Sequence, residues 1–324
     1  MSSGVVDIAR RCEVSPSTVC RALNGKSDIN EETRRRVLTA CDELGYARNS
    51  SARSLRLGCS TVVACLTADR HNELFIEKLY YLKQAIAEAG YTPRIYSYSD
   101  GEQALMFLRE IVSTRPAGVI TDMVPDGAMR PLLTANGVPV VLYDCSAPGL
   151  DSVCVDRECG CREAVAHMLA LGRGRIVLLG ASLDSERGRG YSAAHRAAGL
   201  AVESGLVVDA RFGRNLFAYG YEQILALCGR VTFDGILAVN DASAIGALRA
   251  LSERGLAVPE SVLVVGFDGI MASAFTNPPL STVLQPVGDM AGQTVHLLLR
   301  RIADADTAVQ HVKLPTRLLL RGSS

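Results

Sequence analysis

A chain of 324 residues, 48% of them hydrophobic, exceeds the usual single-domain size and has material for a large core, which excludes wholesale disorder. Its 34 basic residues balance 34 acidic ones, so the chain as a whole is no basic nucleic-acid binder. The balance is uneven: residues 1–58 hold ten Lys and Arg against seven Asp and Glu, a local +3 on a body at −3, the sign that suits a small phosphate-contacting domain on a neutral core. No apolar run of signal-peptide length opens the sequence and no stretch of about 18 apolar residues occurs, so a cytoplasmic protein with no membrane partner is expected. The ten cysteines read as free thiols of a reducing compartment. Cys154, Cys159 and Cys161 lack paired C-x-x-C spacing and have no histidine nearer than His167, so no metal and no other cofactor is expected.

In chain order, residues 5–12 predict a first helix with Val5, Ile8, Ala9 and Cys12 on its inner face. After a turn at Glu13-Val14, the stretch VSPSTVCRALNG predicts a second. Ser15 supplies a capping hydroxyl and Pro16 takes the first helical position. Val19 and Leu23 face inward, while Ser17, Thr18, Cys20 and Arg21 present small polar groups and one guanidinium outward, and Asn24-Gly25 closes the helix. Asn30 caps a third helix, EETRRRVLTACDELG, with Val37, Cys41 and Leu44 inward and Arg34, Arg35 and Arg36 on a solvated or phosphate-contacting face. This is a helix-turn-helix whose second helix suits the major groove of double-stranded DNA. The following ARNSSARSLRL is short, basic and too small to own a core. Leu55 between Arg53 and Arg56 suits insertion into a minor groove.

From residue 60 the pattern becomes short apolar runs alternating with amphipathic helices. Strands are predicted at 61–67, 94–98, 117–121 and 139–144, with helices at 74–88, 102–112 and 128–137 between them. The rhythm resumes after Asp156, with helices at 158–172, 189–200 and 242–255 and strands at 175–180, 235–240 and 262–268. Repeated βα units imply parallel sheets covered on both faces, here two lobes with a cleft between. Ligands bind at the carboxyl ends of such strands, which makes 67–69, Thr121, Asp122, Asn240, Asp241 and Asp268 candidate cleft positions. A two-lobed core alone also suits a solute-binding protein for transport. The five histidines are scattered and no G-x-S-x-G, G-x-G-x-x-G or Walker motif occurs, so no enzyme is expected.

The order of motifs resembles the LacI (LacI/GalR) family of bacterial transcriptional regulators over nearly the whole chain. The likeness rests on VDIARRCEVSPSTVCRALNG, LGY, ARSLR, GYSAAHRAAGL, AVNDASAIGALRALSERGLAVPESVLVVGFD and PPLSTVLQP. It implies a small all-α helix-turn-helix domain at 1–46, a hinge helix at 47–58 and a two-lobed α/β core resembling type I periplasmic binding proteins at 59–324. The lobes would comprise about 60–157 with 287–314, and about 158–286 with 315–324. The implied function is a homodimeric repressor of pseudo-palindromic operator DNA, controlled by a small-molecule effector. The implied DNA contacts are Ser15, Pro16, Ser17, Thr18, Cys20, Arg21 and Asn24, with Ala52, Leu55 and Arg56 in the minor groove. The implied effector contacts are Phe75, Arg187, Asn240, Asp268 and Gln285, a polar set that suits a sugar or sugar derivative. Several positions depart from the family pattern. Cys20 replaces a serine, Glu13 a turn glycine and Arg48 a proline, Asn72-Glu73-Leu74 interrupts an Asn-Pro-Phe run, and Asn215 stands where several relatives place a stacking aromatic.

Overall fold

The computed structural model describes residues 4–23, 28–45, 60–70, 72–209 and 215–324, which fall into two compact units, 1–60 and 61–324. In the first unit, α1 (Val5–Arg11), α2 (Pro16–Leu23) and α3 (Glu31–Glu43) close on a core of Ile8, Ala9, Cys12, Val19, Ala22, Val37, Ala40 and Cys41. The predicted inner faces hold, except that Ala22 rather than Leu23 is the second fully buried residue of α2, and Leu23 packs at its edge. Ser15 Oγ accepts from the Thr18 amide at 3.1 Å, and Asn30 Oδ1 accepts from the Thr33 amide at 2.7 Å, so both expected caps form. Glu13 makes the turn at φ +51°, a left-handed conformation that a non-glycine residue adopts at a cost of about 1 kcal/mol.

The second unit contains two six-stranded sheets. The first has the order β2 (Thr92–Tyr98), β1 (Val62–Ala68), β3 (Gly118–Thr121), β4 (Val140–Tyr143), β5 (Asp151–Val155), β11 (His311–Leu314), all parallel. The second runs β7 (Val207–Val208), β6 (Ile176–Leu179), β8 (Gly235–Ala238), β9 (Leu263–Asp268), β10 (Ser281–Leu284), β12 (Arg317–Leu319), and only the β10–β12 pair is antiparallel. In both sheets the first strand lies between the second and third, the doubly wound order with its crevice at the strands' carboxyl ends. Helices α4 (Glu73–Glu88), α5 (Gly101–Ser113), α6 (Met129–Ala135) and α11 (Val287–Ala303) cover the first sheet. Helices α7 (Arg157–Ala170), α8 (Glu186–Ala197), α9 (Leu216–Leu227) and α10 (Asp241–Glu253) cover the second.

The chain passes between the sheets three times, after β5, after β10 and between β11 and β12. Strand β5 escapes the hydrophobic pattern because two of its four buried positions are polar, Asp151 and Ser152. Asp151 is fully buried and joins distant pieces of the lobe. Its carboxylate accepts from Arg300 at 3.2 Å, Arg301 Nε at 2.9 Å and the Gln310 amide at 2.7 Å, so the end of α11 and the return into β11 are tied to β5. Helices α9 and α10 meet backbone to backbone. A Cβ at Gly220 would lie 2.0 Å from the Ser243 carbonyl oxygen, and one at Gly246 would lie 2.0 Å from that of Phe217.

Asp151→Ala would leave two guanidinium groups and an amide without their shared acceptor. It should lower core stability by about 3 kcal/mol in urea unfolding followed by circular dichroism. A loss below about 1 kcal/mol would show that the α11 and β11 connections are held by packing alone.

Candidate functional site

The outer face of α2 is polar for a local reason: its buried stripe uses only Val19 and Ala22, which leaves the rest of the eight-residue helix outward. Ser15, Pro16, Ser17 and Arg21 are exposed, and Thr18 and Cys20 are half-buried. The Ser15 hydroxyl lies 2.7 Å from that of Ser17 and 2.8 Å from that of Thr18, so the three form one linked donor and acceptor set. The Arg21 guanidinium pairs with Asp28. In α3, Arg36 donates to the Cys12 carbonyl at 2.6 Å and so ties α3 to the end of α1, Arg34 donates to Glu31 of the same helix at 2.9 Å, and Arg35 is exposed. Asn24, Ala52, Leu55 and Arg56 lie outside the described residues.

In the second unit the strand ends of both sheets converge. At the end of β9, Asp268 turns at φ +120°, a conformation strained for any residue but glycine, and projects its carboxyl from the last strand position. Gln285, just beyond β10, donates from Nε2 to Asp268 Oδ1 at 2.8 Å, while its own Oε1 is buried without a partner. Arg187, in the first turn of α8, lays its guanidinium over the Phe267 ring, 4.8 Å from the centroid, and its Nε is buried without a partner. Burial pushes the Asp268 carboxyl up to about 6 despite the Arg187 and Lys78 charges and the Gln285 donor. Burial and the neighbouring Arg157 cation hold the Arg187 pKa below its ordinary value.

Asn240 caps α10 through Oδ1, which accepts from the Ser243 amide at 2.8 Å, leaving the amide nitrogen as the group it can offer a ligand. Phe75 sits half-buried in the first turn of α4, its own amide capped by Asn72. Asp241, a candidate cleft residue, is instead an internal latch. It accepts from the Gly269 and Ile270 amides at 2.9 Å each and from Thr282 Oγ1 at 2.6 Å. Burial and the Asp268 charge push its carboxyl up to about 8, against those three donors. In the first lobe Asp122 accepts from the Ala68 amide and the Tyr98 hydroxyl, each at 3.0 Å, and Thr67 Oγ1 is buried without a partner. Thus Arg187, Asp268 and Gln285 stand together, and Asn240 and Phe75 occupy the helix starts at strand ends of opposite lobes.

A second set of charges was not visible in the sequence. Asp144, at the end of β4 and at φ +68°, accepts from Lys78 Nζ at 2.7 Å and pairs with Arg157. Arg157 also reaches Glu186 of the second lobe at 3.4 Å, and Lys313 reaches Asp156 at 3.1 Å and Glu186 at 3.8 Å. Burial raises the Asp144 pKa, but the Lys78 and Arg157 charges outweigh it and hold the group below the usual carboxylate range. The ion pairs therefore run from α4 through the first crossover to α8. A lysine on a helix reads as solvated, and its partner lies 66 residues away. The one available signal was spacing: Lys78, Leu82 and Ile86 make a single stripe at four-residue intervals. None of the nine described cysteines is in a disulfide, and among the described residues no three His, Cys, Asp or Glu groups form a metal-holding cluster.

Comparison with known proteins gives the arrangement a context. Residues 5–49 match the model of the bacterial regulatory proteins, lacI family, and residues 165–324 match that of the periplasmic binding protein-like domain. The chain is 31% identical over 326 residues to the HTH-type transcriptional regulator GntR of Pseudomonas aeruginosa, an alignment covering 98% of this chain and 94% of the relative. The structure of the transcriptional regulator CelR–cellobiose complex is 25% identical, covers 99% of this chain and 100% of its own, and superposes with a TM-score of 0.74. The lac repressor dimer bound to operator and the anti-inducer ONPF shares the fold, with a TM-score of 0.87 at 24% identity over 100% of this chain and 99% of that one. With a helix-turn-helix unit, a two-lobed core and relatives matched along nearly its whole length, the chain belongs to the LacI family of bacterial transcriptional regulators.

Proposed function

We propose that this regulator is a cytoplasmic, homodimeric repressor that binds a pseudo-palindromic operator and whose operator affinity is set by a sugar or sugar derivative in the cleft of its core. The observation that carries the effector half is the cluster at the strand ends. Arg187 Nε and Gln285 Oε1 are buried beside Asp268 with no partner of their own. Buried polar groups are normally satisfied, so a donor and an acceptor left open at one cleft favour a ligand that supplies both, as hydroxyls do. Asn240 and Phe75 would complete the contacts. The effector-free and effector-bound cores would differ in how the two lobes close. The preferred arrangement shifts by the ligand's differential affinity for the two.

Family membership and the exposed face of α2 support the DNA half. Ser15, Pro16, Ser17, Thr18, Cys20, Arg21 and Asn24 would meet one major-groove half-site, and Ala52, Leu55 and Arg56 the minor groove between half-sites. Phosphate contacts would supply affinity, and the base-edge and wedge contacts specificity. Among the described residues no helix is long and apolar enough to cross a membrane.

Exposed apolar side chains support the homodimer. Ile76 and Tyr80 lie four apart on α4, and Phe275, 82% exposed, stands with Met271 on a short 3-10 turn of the second lobe. A recess of about 460 Å³ between α9 and α10, lined by Phe217, Tyr221, Ile245 and Arg249, offers apolar surface on that lobe. Large apolar side chains exposed in pairs on one element, as Ile76 with Tyr80 and Met271 with Phe275, support an association surface there.

Selection from a random duplex pool with the full chain should enrich a pseudo-palindrome. On that sequence Arg21→Ala should weaken binding at least tenfold and reduce the salt slope by about 2 per dimer, one phosphate contact being lost from each subunit. A pool without two-fold symmetry, or unchanged binding by the variant, would contradict the reading. Phe275→Asp should shift the protein toward monomer in sedimentation velocity and weaken operator binding at least tenfold. A variant that stays dimeric would place the interface elsewhere.

A further inference from the structure

The cleft's cations are not equally served. Lys78 has Asp144, Arg157 has Asp144 and Glu186, and Lys313 has Asp156 and Glu186. Arg187 has none: among the described residues no carboxylate stands at ion-pairing distance from it, and of the two carboxylates whose charge it feels, Asp268 is hydrogen-bonded to Gln285 and Asp144 to Lys78. One face of its guanidinium rests on Phe267, so the free edge is what a ligand meets. Arg157, the strongest charged neighbour, is another cation. Placing a half-buried cation next to a like charge with an open donor is unfavourable, and an incoming anion relieves both terms.

The opposite lobe offers a second cation in an unusual place. Lys78 occupies the first position of the stripe that Leu82 and Ile86 continue into the core, and it is only 6% exposed. An apolar residue would fill that position at less desolvation cost. Its ammonium has three donors, of which one goes to Asp144, and Asp144 already has Arg157 as a second cationic partner. Lys78 can therefore turn a donor to a ligand without leaving Asp144 uncompensated. Its charge acts on Asp268 of the facing lobe, as that of Asp144 acts on Arg187, so these groups share one electrostatic neighbourhood across the cleft.

We propose that the ligand of this cleft is an acidic sugar derivative, whose carboxylate or phosphate seats on the open edge of Arg187 with Lys78 supplying a second positive charge from the other lobe. This rests on the effector reading above and narrows it from sugars in general to those bearing a negative group. The planar guanidinium suits either oxyanion as a fork, and the flexible ammonium acts as a point charge. Hydroxyls of the same ligand would take the Gln285 Oε1 and Asp268 acceptors.

The test uses the full-length protein with D-gluconate, D-glucose 6-phosphate and D-glucose as probes, in calorimetric titration and thermal shift, with sodium chloride at matched ionic strength as reference. At least one acid should bind tenfold or more tightly than D-glucose, and the two acids distinguish a carboxylate from a phosphate. Arg187→Gln should remove that preference. Lys78→Met keeps the stem in its apolar stripe and should weaken the acid at least fivefold, well beyond any change in D-glucose binding, with a single cooperative urea transition showing that the core is folded. The proposal is overturned if D-glucose matches its acids, if the acid preference survives in both variants, or if no acid shifts the melting temperature beyond the salt reference. Binding of D-glucose that depends on Arg187 would remove the anion while leaving the cleft as the effector site.

Discussion

Asp144 is the point on which the two lobes of the core depend. It ends a strand of one lobe in a left-handed conformation, accepts from a buried lysine of the same lobe and pairs with Arg157, the first residue after the chain has crossed to the other. Arg157 extends the connection to Glu186 at the start of α8. Removing the carboxylate would leave Lys78 buried without a counter-charge and Arg157 with Glu186 alone, a defect typically worth about 3–5 kcal/mol. Because these ion pairs sit at the first crossover, a ligand that rearranged them would act directly on a segment joining the lobes.

The two aspartates at positive φ share a design. Asp144 and Asp268 each stand at the carboxyl end of a parallel strand, one in each lobe, and each is turned out of the strand direction by a positive φ. Backbone strain of this kind persists only where surrounding contacts hold it. Lys78 and Arg157 do so for the first, and Gln285 for the second. The lobes thus present strand-end carboxylates across the cleft, flanked by cations from both sides. Arg187 is the cation whose bonding is incomplete, and on the proposed reading that incompleteness is what a ligand of the cleft would satisfy.

Much of this was legible in sequence because it rests on local chemistry. Capping by Ser15 and Asn30, proline at the start of α2 and the alternation of apolar strands with amphipathic helices each depend on neighbours within a few residues, and each is found in place. The elements that escaped were those whose burial is set by remote partners. Strand β5 is hidden by Asp151, which is buried only because Arg300 and Arg301 return to it from about 150 positions away. Lys78 reads as a surface residue until the fold delivers Asp144. Among the candidate cleft residues, Arg187, Asp268 and Gln285 came together, whereas Asp241 proved to be an internal latch, because nothing local tells a buried acceptor of backbone amides from a ligand-facing one.

The central claim is that the cleft and the DNA-reading helix act as two linked binding sites of one molecule. Linkage is reciprocal, so the most direct measurement is a closed cycle: the dissociation constant of the bound sugar derivative with and without the selected operator, and that of the operator with and without the sugar derivative. The two ratios should be equal and at least fivefold from unity. Ratios of one in both directions would mean that the cleft binds its ligand without speaking to the DNA, and would contradict the account.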